Sequence, residues 1–285
     1  MAKVALLGTG LIGFAMVEGM LRRGDEVTAW NRTASKAAPL AARGAKIASS
    51  VAEAVAGAER VHIVVSDDAA VDGLLAQLPE LGPEVLVVDH STVSPAGTRA
   101  RFSASAARRL SFLHAPIFMS PQAARDSAGI MLCAGPKARF DRAQLALAAM
   151  TGTLKWVGER VDQAAALKLF GNAMILTICA GLSDVYRMAR TLGIDPTEAH
   201  ALFSTFNPAM AITVRGAKMA HGDFSPSFET TMARKDVRLM TEVGADLFVL
   251  PAVATLLDRA IAAGHGSDDC GSIAFDTLAS SVPEK

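Results

Sequence analysis

Residues 3–22 read KVALLGTGLIGFAMVEGMLR, and this stretch decides the fold of the first half of the chain. The run from Lys3 to Leu7 is typical of a buried parallel strand, and it is followed directly by Gly8-Thr9-Gly10-Leu11-Ile12-Gly13. Apolar residues at helical spacing come next, and a second strand is predicted from Glu26 to Trp30. Glycines spaced in this way, between a strand and a helix, allow a tight turn, a close approach of the backbone to a pyrophosphate, and tight helix packing. The stretch therefore predicts a βαβ unit that binds a dinucleotide at the helix N-terminus.

The end of the second predicted strand indicates which dinucleotide binds. Asn31-Arg32-Thr33 stand there, with Lys36 shortly after, and none of these is the Asp or Glu that binds the ribose hydroxyls in an NAD site. Arg32 can stack on the adenine or bind a 2′-phosphate, while Asn31 and Thr33 can donate hydrogen bonds. We therefore expect NADP rather than NAD, although the same residues would also suit an ordinary basic loop.

Strands and helices continue to alternate up to about residue 157. Further strands are predicted at Ala45–Ala48, Val61–Val65, Val85–Asp89, Phe112–Ile117, Gly129–Ala134 and Leu154–Val157. Ligands of a doubly wound sheet bind beyond the carboxyl ends of its strands. We therefore expect these residues beside the cofactor or substrate: Val65, Ser66, Asp67, Val71, Ser91 and Thr92. Ser, Thr and Asp are also ordinary helix caps, so capping is an equal alternative for the polar members of this set.

The second half is predicted to be helical. A long helix should run from about Asp162, its N-cap, to about Leu192, just before Gly193. Within its apolar sequence, Lys168 and Asn172 are four residues apart and share one face. A lysine in such surroundings needs a partner, a wet cleft or a lowered pKa, unless it simply extends to water. Further helices are predicted at Thr197–Phe203, Ala209–Ala220, Phe228–Val243 and Ala252–Ala263.

Composition argues against several classes of partner. Lys+Arg and Asp+Glu number 28 each, so no basic surface for nucleic acid is expected. No uninterrupted apolar run approaches the roughly 18 residues of a membrane span, and no signal peptide is recognised. The three cysteines and six histidines lack metal-ligand spacing, so no metal is expected. We expect a cytoplasmic protein with a small-molecule substrate.

Several motifs occur in an order that is typical of one family. They are Gly8–Gly13, Asp89-His90-Ser91-Thr92-Val93-Ser94-Pro95, Lys168 with Asn172, Lys235-Asp236-Val237, and Gly264–Asp269. Together they resemble the β-hydroxyacid dehydrogenase family, which includes 3-hydroxyisobutyrate dehydrogenase and glyoxylate/succinic semialdehyde reductase and lies within the 6-phosphogluconate dehydrogenase superfamily. The resemblance spans nearly the whole chain.

The resemblance implies an α/β Rossmann domain over residues 1–160 and an all-helical domain for substrate and dimerisation over residues 161–285, joined by the long helix at about 162–192. It implies that Lys168 is the general acid and base and that Asn172 orients the substrate. It also places Lys235 over the cofactor and Thr92 beside the nicotinamide. A homodimer or homotetramer is expected.

One segment departs from the family pattern. The family reads D-A-P-V-S-G-G where this chain has His114-Ala115-Pro116-Ile117-Phe118-Met119-Ser120. The serine and glycines of the family hold the substrate carboxylate, which Phe118 and Met119 cannot do. We therefore expect a bulkier or less charged substrate, contacted by Phe118, Met119, Ser120 and Phe228. Alternatively, Phe118 and Met119 turn into the core.

The predicted activity is hydride transfer between NADP(H) and a carbonyl/alcohol pair. Imine reduction on the same scaffold is an alternative favoured by the apolar Phe118-Met119 loop, although members of that group generally lack a lysine at the Lys168 position. A non-catalytic NADP-binding sensor is a third reading. The intact set of Lys168, Asn172 and Lys235 argues against it.

Overall fold

The computed structural model describes residues 1–278. The chain divides into two compact units, of which the first is Met1–Asn172 and the second begins at Ala173. This division falls inside one long helix, so both units contain part of it. The domain boundary expected near residue 160 stays a prediction.

A parallel sheet forms the centre of the first unit. Its strands are β1 (Lys3–Leu7), β2 (Glu26–Trp30), β3 (Lys46–Ile47), β4 (Arg60–Ile63), β5 (Leu86–Asp89) and β6 (Ser111–His114). Their order is β3-β2-β1-β4-β5-β6, and every neighbouring pair is parallel. This is the strand order of a Rossmann fold, as predicted.

Helices cover both faces of this sheet. They are α1 (Leu11–Arg22), α2 (Ala34–Ala37), α3 (Val51–Val55), α4 (Asp68–Gln77), α5 (Pro95–Ala107), α6 (Pro121–Arg125) and α7 (Lys137–Ala148). Val4 and Leu6 of β1 belong to the apolar core on one face, while Ala5 and Leu7 belong to the core on the other. Because successive side chains of a strand point to opposite faces, a strand buried on both sides is apolar throughout.

A second, smaller sheet consists of β7 (Ile117–Phe118), β8 (Ile130–Cys133) and β9 (Thr153–Trp156), with β7 antiparallel to β8. The single strand predicted over Phe112–Ile117 was wrong, since the chain leaves β6 after His114 and enters the other sheet at Ile117. Pro116 lies at this break. Proline has no N–H to continue a ladder, and it restricts the residue before it.

The long helix α8 runs over Gln163–Thr191, within one residue of its predicted ends. Asp162 is at the N-cap position, since its carbonyl accepts from the N–H of Ala166, but its carboxylate contacts Arg99 and Arg160. Gly193 adopts a φ of +72°, the left-handed conformation expected of a helix terminator. Within the described residues, α8 is the one helix long and apolar enough to cross a membrane. The expectation of no membrane rested on uninterrupted runs, and it stays a prediction.

The second unit continues with α9 (Pro196–Ala201), α10 (Gly216–Ala220), α11 (Thr230–Glu242), α12 (Leu250–Ala262) and α13 (Phe275–Leu278). A π-helix at Ala211–Arg215 leads into α10. The predicted helical character of this half is confirmed. Its core is formed by Ala233 and Val237 of α11 with Leu257 of α12.

Candidate active site

The glycine turn after β1 has the geometry of a dinucleotide cradle. Gly8 has a φ of +104°, and a Cβ added there would lie 2.2 Å from the carbonyl oxygen of Val64 at the end of β4. A Cβ on Gly13 would lie 1.9 Å from the carbonyl oxygen of Gly8. A Cβ on Gly10, in contrast, would meet no atom within 4 Å. The fold itself therefore requires Gly8 and Gly13, whereas Gly10 leaves open space where a ligand's phosphates can approach the backbone.

Unsatisfied polar groups surround this space. No side chain caps the first turn of α1, and that turn carries no acidic residue. The Thr9 hydroxyl is buried without a hydrogen-bond partner among the described residues, while the Thr9 N–H donates to Asn31 Oδ1 at 3.0 Å. An uncapped helix N-terminus attracts anions through its N–H groups and dipole. The cradle thus fits the pyrophosphate of a dinucleotide.

The residues after β2 have two different roles. The Asn31 amide donates to the carbonyl of Thr33 at 3.0 Å in addition to holding Thr9, so this side chain braces the glycine turn. Arg32, Thr33 and Lys36 are exposed. They remain available for the 2′-phosphate and adenine, as the sequence predicts.

The site residues predicted in and after the loop that follows β4 differ in exposure and in their contacts. Asp67 accepts from the Ala70 N–H at 2.8 Å as the N-cap of α4, and Ser66 donates to Asp67 at 2.7 Å. That backbone hydrogen bond is the largest cause of the lowered pKa of Asp67, with smaller help from the charge of Arg32. Val65 is half-buried. Val71 is fully buried in the apolar core on one face of the sheet, and its predicted contact with the cofactor stays a prediction.

The loop after β5 is held from inside the protein. Ser91 is 2% exposed, and its Oγ accepts from the Val65 N–H at 3.0 Å. Its N–H donates to Asp89 Oδ1 at 2.9 Å, and its carbonyl accepts from His114 Nε2 at 3.1 Å. Ser91 therefore braces the loop, and its expected role as a substrate contact stays a prediction. Thr92, the next residue, is exposed and remains available.

Three buried histidines lie beneath this loop, and sequence reasoning missed them. His90 Nδ1 donates to the carbonyl of Ala115 at 2.8 Å, so its Nε2 accepts from His62 Nδ1 at 2.9 Å. Burial lowers the pKa of all three, that of His90 to about 4, and raises the pKa of Asp89. One feature of the sequence could have indicated this cluster, because His62, His90 and His114 lie in or just after three strands that are neighbours in the sheet.

Lys168 lies against Phe118. Its Nζ is 3.9 Å from the centroid of the phenyl ring, and the residue is 9% exposed. Burial lowers the pKa of this amine. Asn172, one turn further along α8, is half-buried. The polar face predicted on α8 therefore begins at a lysine that is removed from solvent.

The Phe118-Met119-Ser120 segment packs partly against the core, and its lining of the substrate pocket stays a prediction. Phe118 packs against the apolar cluster of Leu132, Ala134 and Ala164 while its ring covers the Lys168 amine. Met119 packs against the larger core, and Ser120 accepts from the Ala123 N–H as the N-cap of α6.

Two predicted site residues belong to the second unit. Lys235, on α11, has a half-exposed side chain and lies 2.6 Å from the carboxylate of Asp236. Phe228 precedes α11, and its N–H donates to Asp269. Their roles toward the cofactor and substrate stay predictions. Among the described residues, no group of three or more His, Cys, Asp or Glu could hold a metal ion.

Comparison with protein families decides the identity. Residues 3–158 match the family described as the NAD binding domain of 6-phosphogluconate dehydrogenase, and residues 163–274 match the NAD-binding domain of NADP-dependent 3-hydroxyisobutyrate dehydrogenase. The chain belongs to the β-hydroxyacid dehydrogenase family. This family member is an NAD(P)-dependent oxidoreductase that acts on a small molecule. NADP is its cofactor, as predicted from the residues after β2.

Individual proteins agree with this assignment. The dehydrogenase is 27% identical to the uncharacterized oxidoreductase YfjR of Bacillus subtilis (strain 168), over 95% of this chain and 98% of the relative. It is 29% identical to the chloroplastic glyoxylate/succinic semialdehyde reductase 2 of Arabidopsis thaliana, over 83% of this chain and 67% of the relative. The structure of a Streptomyces aurantiacus imine reductase matches with a TM-score of 0.87 at 25% identity, covering 96% of this chain and 99% of that one.

Proposed function

We propose that this enzyme interconverts a carbonyl compound and its alcohol, with Lys168 as the general acid and base. The observation that carries the proposal is the Lys168 amine, which is buried and shifted to a lower pKa. It lies against Phe118, on the segment that continues the chain from the carboxyl end of β6. Titratable groups perturbed by burial at such an edge are candidates for catalysis.

NADPH, when bound in the glycine cradle, supplies the hydride for reduction. The Lys168 ammonium then donates a hydrogen bond to the carbonyl oxygen and transfers its proton as negative charge develops there. In the oxidative direction the neutral amine accepts the proton of the alcohol. A pKa lowered by burial makes that neutral form accessible. The Asn172 amide can donate to the substrate oxygen or accept from the amine.

The substrate in this proposal is bulkier or less charged than the small hydroxyacids of the family. The side chain of Phe118 has no hydrogen-bond donor, and the Ser120 hydroxyl oxygen accepts from the Ala123 N–H as the cap of α6. Replacing Phe118 by serine should lower the KM for 3-hydroxyisobutyrate and succinic semialdehyde, because the hydroxyl can donate to their carboxylates. An unchanged KM for both compounds would contradict this view of the pocket.

Imine reduction is the second candidate. It is supported by the apolar Phe118-Met119 segment and by the likeness to the Streptomyces aurantiacus imine reductase. An aromatic face can hold a cationic iminium group. The buried lysine favours carbonyl reduction instead, because an ammonium repels an iminium. A non-catalytic NADP-binding sensor remains the third candidate.

One experiment separates these candidates. NADPH oxidation is measured with aldehydes, ketoacids and cyclic imines, using the wild-type protein and the Lys168→Met variant. We expect reduction of a carbonyl compound, a fall in turnover of about 10²- to 10⁴-fold in the variant, and unchanged NADPH binding. Turnover of imines alone would favour the second candidate, and NADPH binding without any turnover the third. Normal carbonyl turnover in the variant would remove Lys168 from its role.

The proposal includes a homodimer or homotetramer in the cytoplasm. Phe170 and Leu176 of α8 are 66% and 69% exposed, and apolar surface of this kind is typical of subunit interfaces. Light scattering should give twice or four times the chain mass, and Leu176→Glu should reduce it. A wild-type monomer in free solution would contradict this assembly.

A further inference from the structure

The phenyl ring of Phe118 packs against α8 at two residues, Lys168 and Gly171. The ring centroid is 3.9 Å from the Lys168 Nζ. The outer edge of the ring lies next to Gly171, where an added Cβ would be 2.5 Å from the ring's Cζ and 2.7 Å from its Cε1. Residues three apart on a helix are neighbours on one face. Only a residue without a side chain at position 171 leaves room for the ring where it lies.

The ring is the partner of the Lys168 amine. Among the described residues, no carboxylate oxygen lies within salt-bridge distance of Lys168. Asp162, the nearest acidic residue along the helix, is engaged by Arg99 and Arg160. The negative face of an aromatic ring attracts a cation, and this attraction is stronger away from water.

No charged neighbour on the elements packed against Lys168 in the first unit accounts for the lowered pKa of its amine. The part of α8 in the first unit carries no titratable group besides Lys168, and β7 carries none. The neighbouring strands contribute the thiol of Cys133, whose pKa burial raises to about 12, and Lys155. Burial alone lowers the pKa of Lys168, so the ring opposes that effect by favouring the ammonium.

We propose that Phe118 is the positioning residue for Lys168 and that its ring face holds the amine in the protonated, proton-donating form. Gly171 leaves the space in which the ring packs against α8. A carboxylate partner would engage the N–H groups of the amine through its lone pairs. A ring face leaves donors free for a substrate oxygen. The arrangement therefore favours reduction over oxidation, and this part of the inference rests on the proposed function.

Fluorination tests the contact with only a small change in the size of the ring. Mono-, di- and trifluorophenylalanine are introduced at position 118 of the full chain, because each added fluorine weakens the negative face of the ring. The pKa of Lys168 is measured by NMR of lysines labelled at Cε, with the resonance assigned from its absence in Lys168→Met. We expect the pKa to fall stepwise, by about one pH unit in total. The same substitutions at Phe112, which is buried elsewhere in the first unit, should leave the pKa unchanged.

The kinetic readout tests the catalytic part separately. If the inference is right, the alkaline limb of the rate profile for NADPH-dependent reduction moves to lower pH with each fluorine, by the same amount as the NMR titration. A Lys168 pKa that stays constant across the series overturns the inference, even if reduction depends on Lys168. A pKa that falls with fluorine while no carbonyl compound is reduced supports the contact and refutes the proposed function.

Discussion

Replacing Gly171 by alanine should displace the Phe118 ring from its position against α8. The new Cβ would lie 2.5 Å from the ring's Cζ, whereas carbon atoms in contact prefer about 3.5 to 4 Å, so the ring must move by about 1 Å. Overpacking of this kind costs about 1 to 3 kcal/mol. Alanine in a helix interior gains about 0.5 to 1 kcal/mol over glycine. The net expectation is a loss of between about 0 and 2.5 kcal/mol in the free energy of unfolding.

The same helix provides the control. Gly181 also lies within α8, and a Cβ added there would meet no atom within 4 Å. Gly181→Ala should therefore stabilise the protein by about 0.5 to 1 kcal/mol, because only the helix propensity changes. In a Phe118→Ala background the clash at position 171 is gone, so Gly171→Ala should become stabilising as well. The coupling between positions 118 and 171 should be about 1 to 3 kcal/mol.

Urea unfolding followed by circular dichroism measures all of these variants. A finding that Gly171→Ala stabilises the wild-type chain as much as Gly181→Ala does would refute the reasoning. It would mean that the ring does not occupy the space next to Gly171. The fluorination experiment would then have no structural basis.

Three further predictions concern the cofactor site and the buried histidines. Gly10→Ala should leave the melting temperature unchanged yet weaken NADPH binding measured by fluorescence, because a Cβ there would meet only open space in the free protein. Gly13→Ala should destabilise the fold, because a Cβ there would lie 1.9 Å from the carbonyl oxygen of Gly8. Arg32→Ala should weaken NADPH binding about 10- to 100-fold and hardly change NADH binding, and an equal loss for both would contradict its assignment to the 2′-phosphate. Stability should fall as the pH drops from 6.5 to about 4, because the pKa of His90 is lowered to about 4 in the folded protein and the unfolded chain binds the proton first. The lowered pKa of His90 alone corresponds to a change of about 3 kcal/mol in the free energy of unfolding over this range. The raised pKa of Asp89 acts in the opposite direction. Urea titrations of a His90→Asn variant should show a shallower pH dependence of stability.

Much of the fold follows from local sequence patterns. Gly8, with its positive φ, and Gly13, which has no room for a Cβ, are required by the turn itself. Their spacing, between a predicted strand and a predicted helix, therefore indicates the βαβ unit. The C-terminal end of α8 was likewise predictable, because Gly193 takes the left-handed conformation that ends a helix, whereas Asp162 stands at the N-cap position with its carboxylate turned to Arg99 and Arg160.

The site was less predictable, because which side chain faces a ligand depends on packing between distant segments. Val71 and Ser91 have residue types suited to a binding edge, yet neighbouring strands bury both of them. His62, His90 and His114 are far apart in the chain, and they meet only because β4, β5 and β6 are adjacent in the sheet.

The sequence by itself determined the dinucleotide fold, the preference for NADP and the presence of a lysine on an apolar helix, since each depends on the identity and spacing of neighbouring residues. Only the tertiary structure decided what that lysine touches. Phe118 reaches Lys168 because the chain breaks at Pro116 and enters a second sheet, and because Gly171 leaves a space for the ring. Contacts of this kind depend on shape complementarity between segments that the sequence does not place side by side.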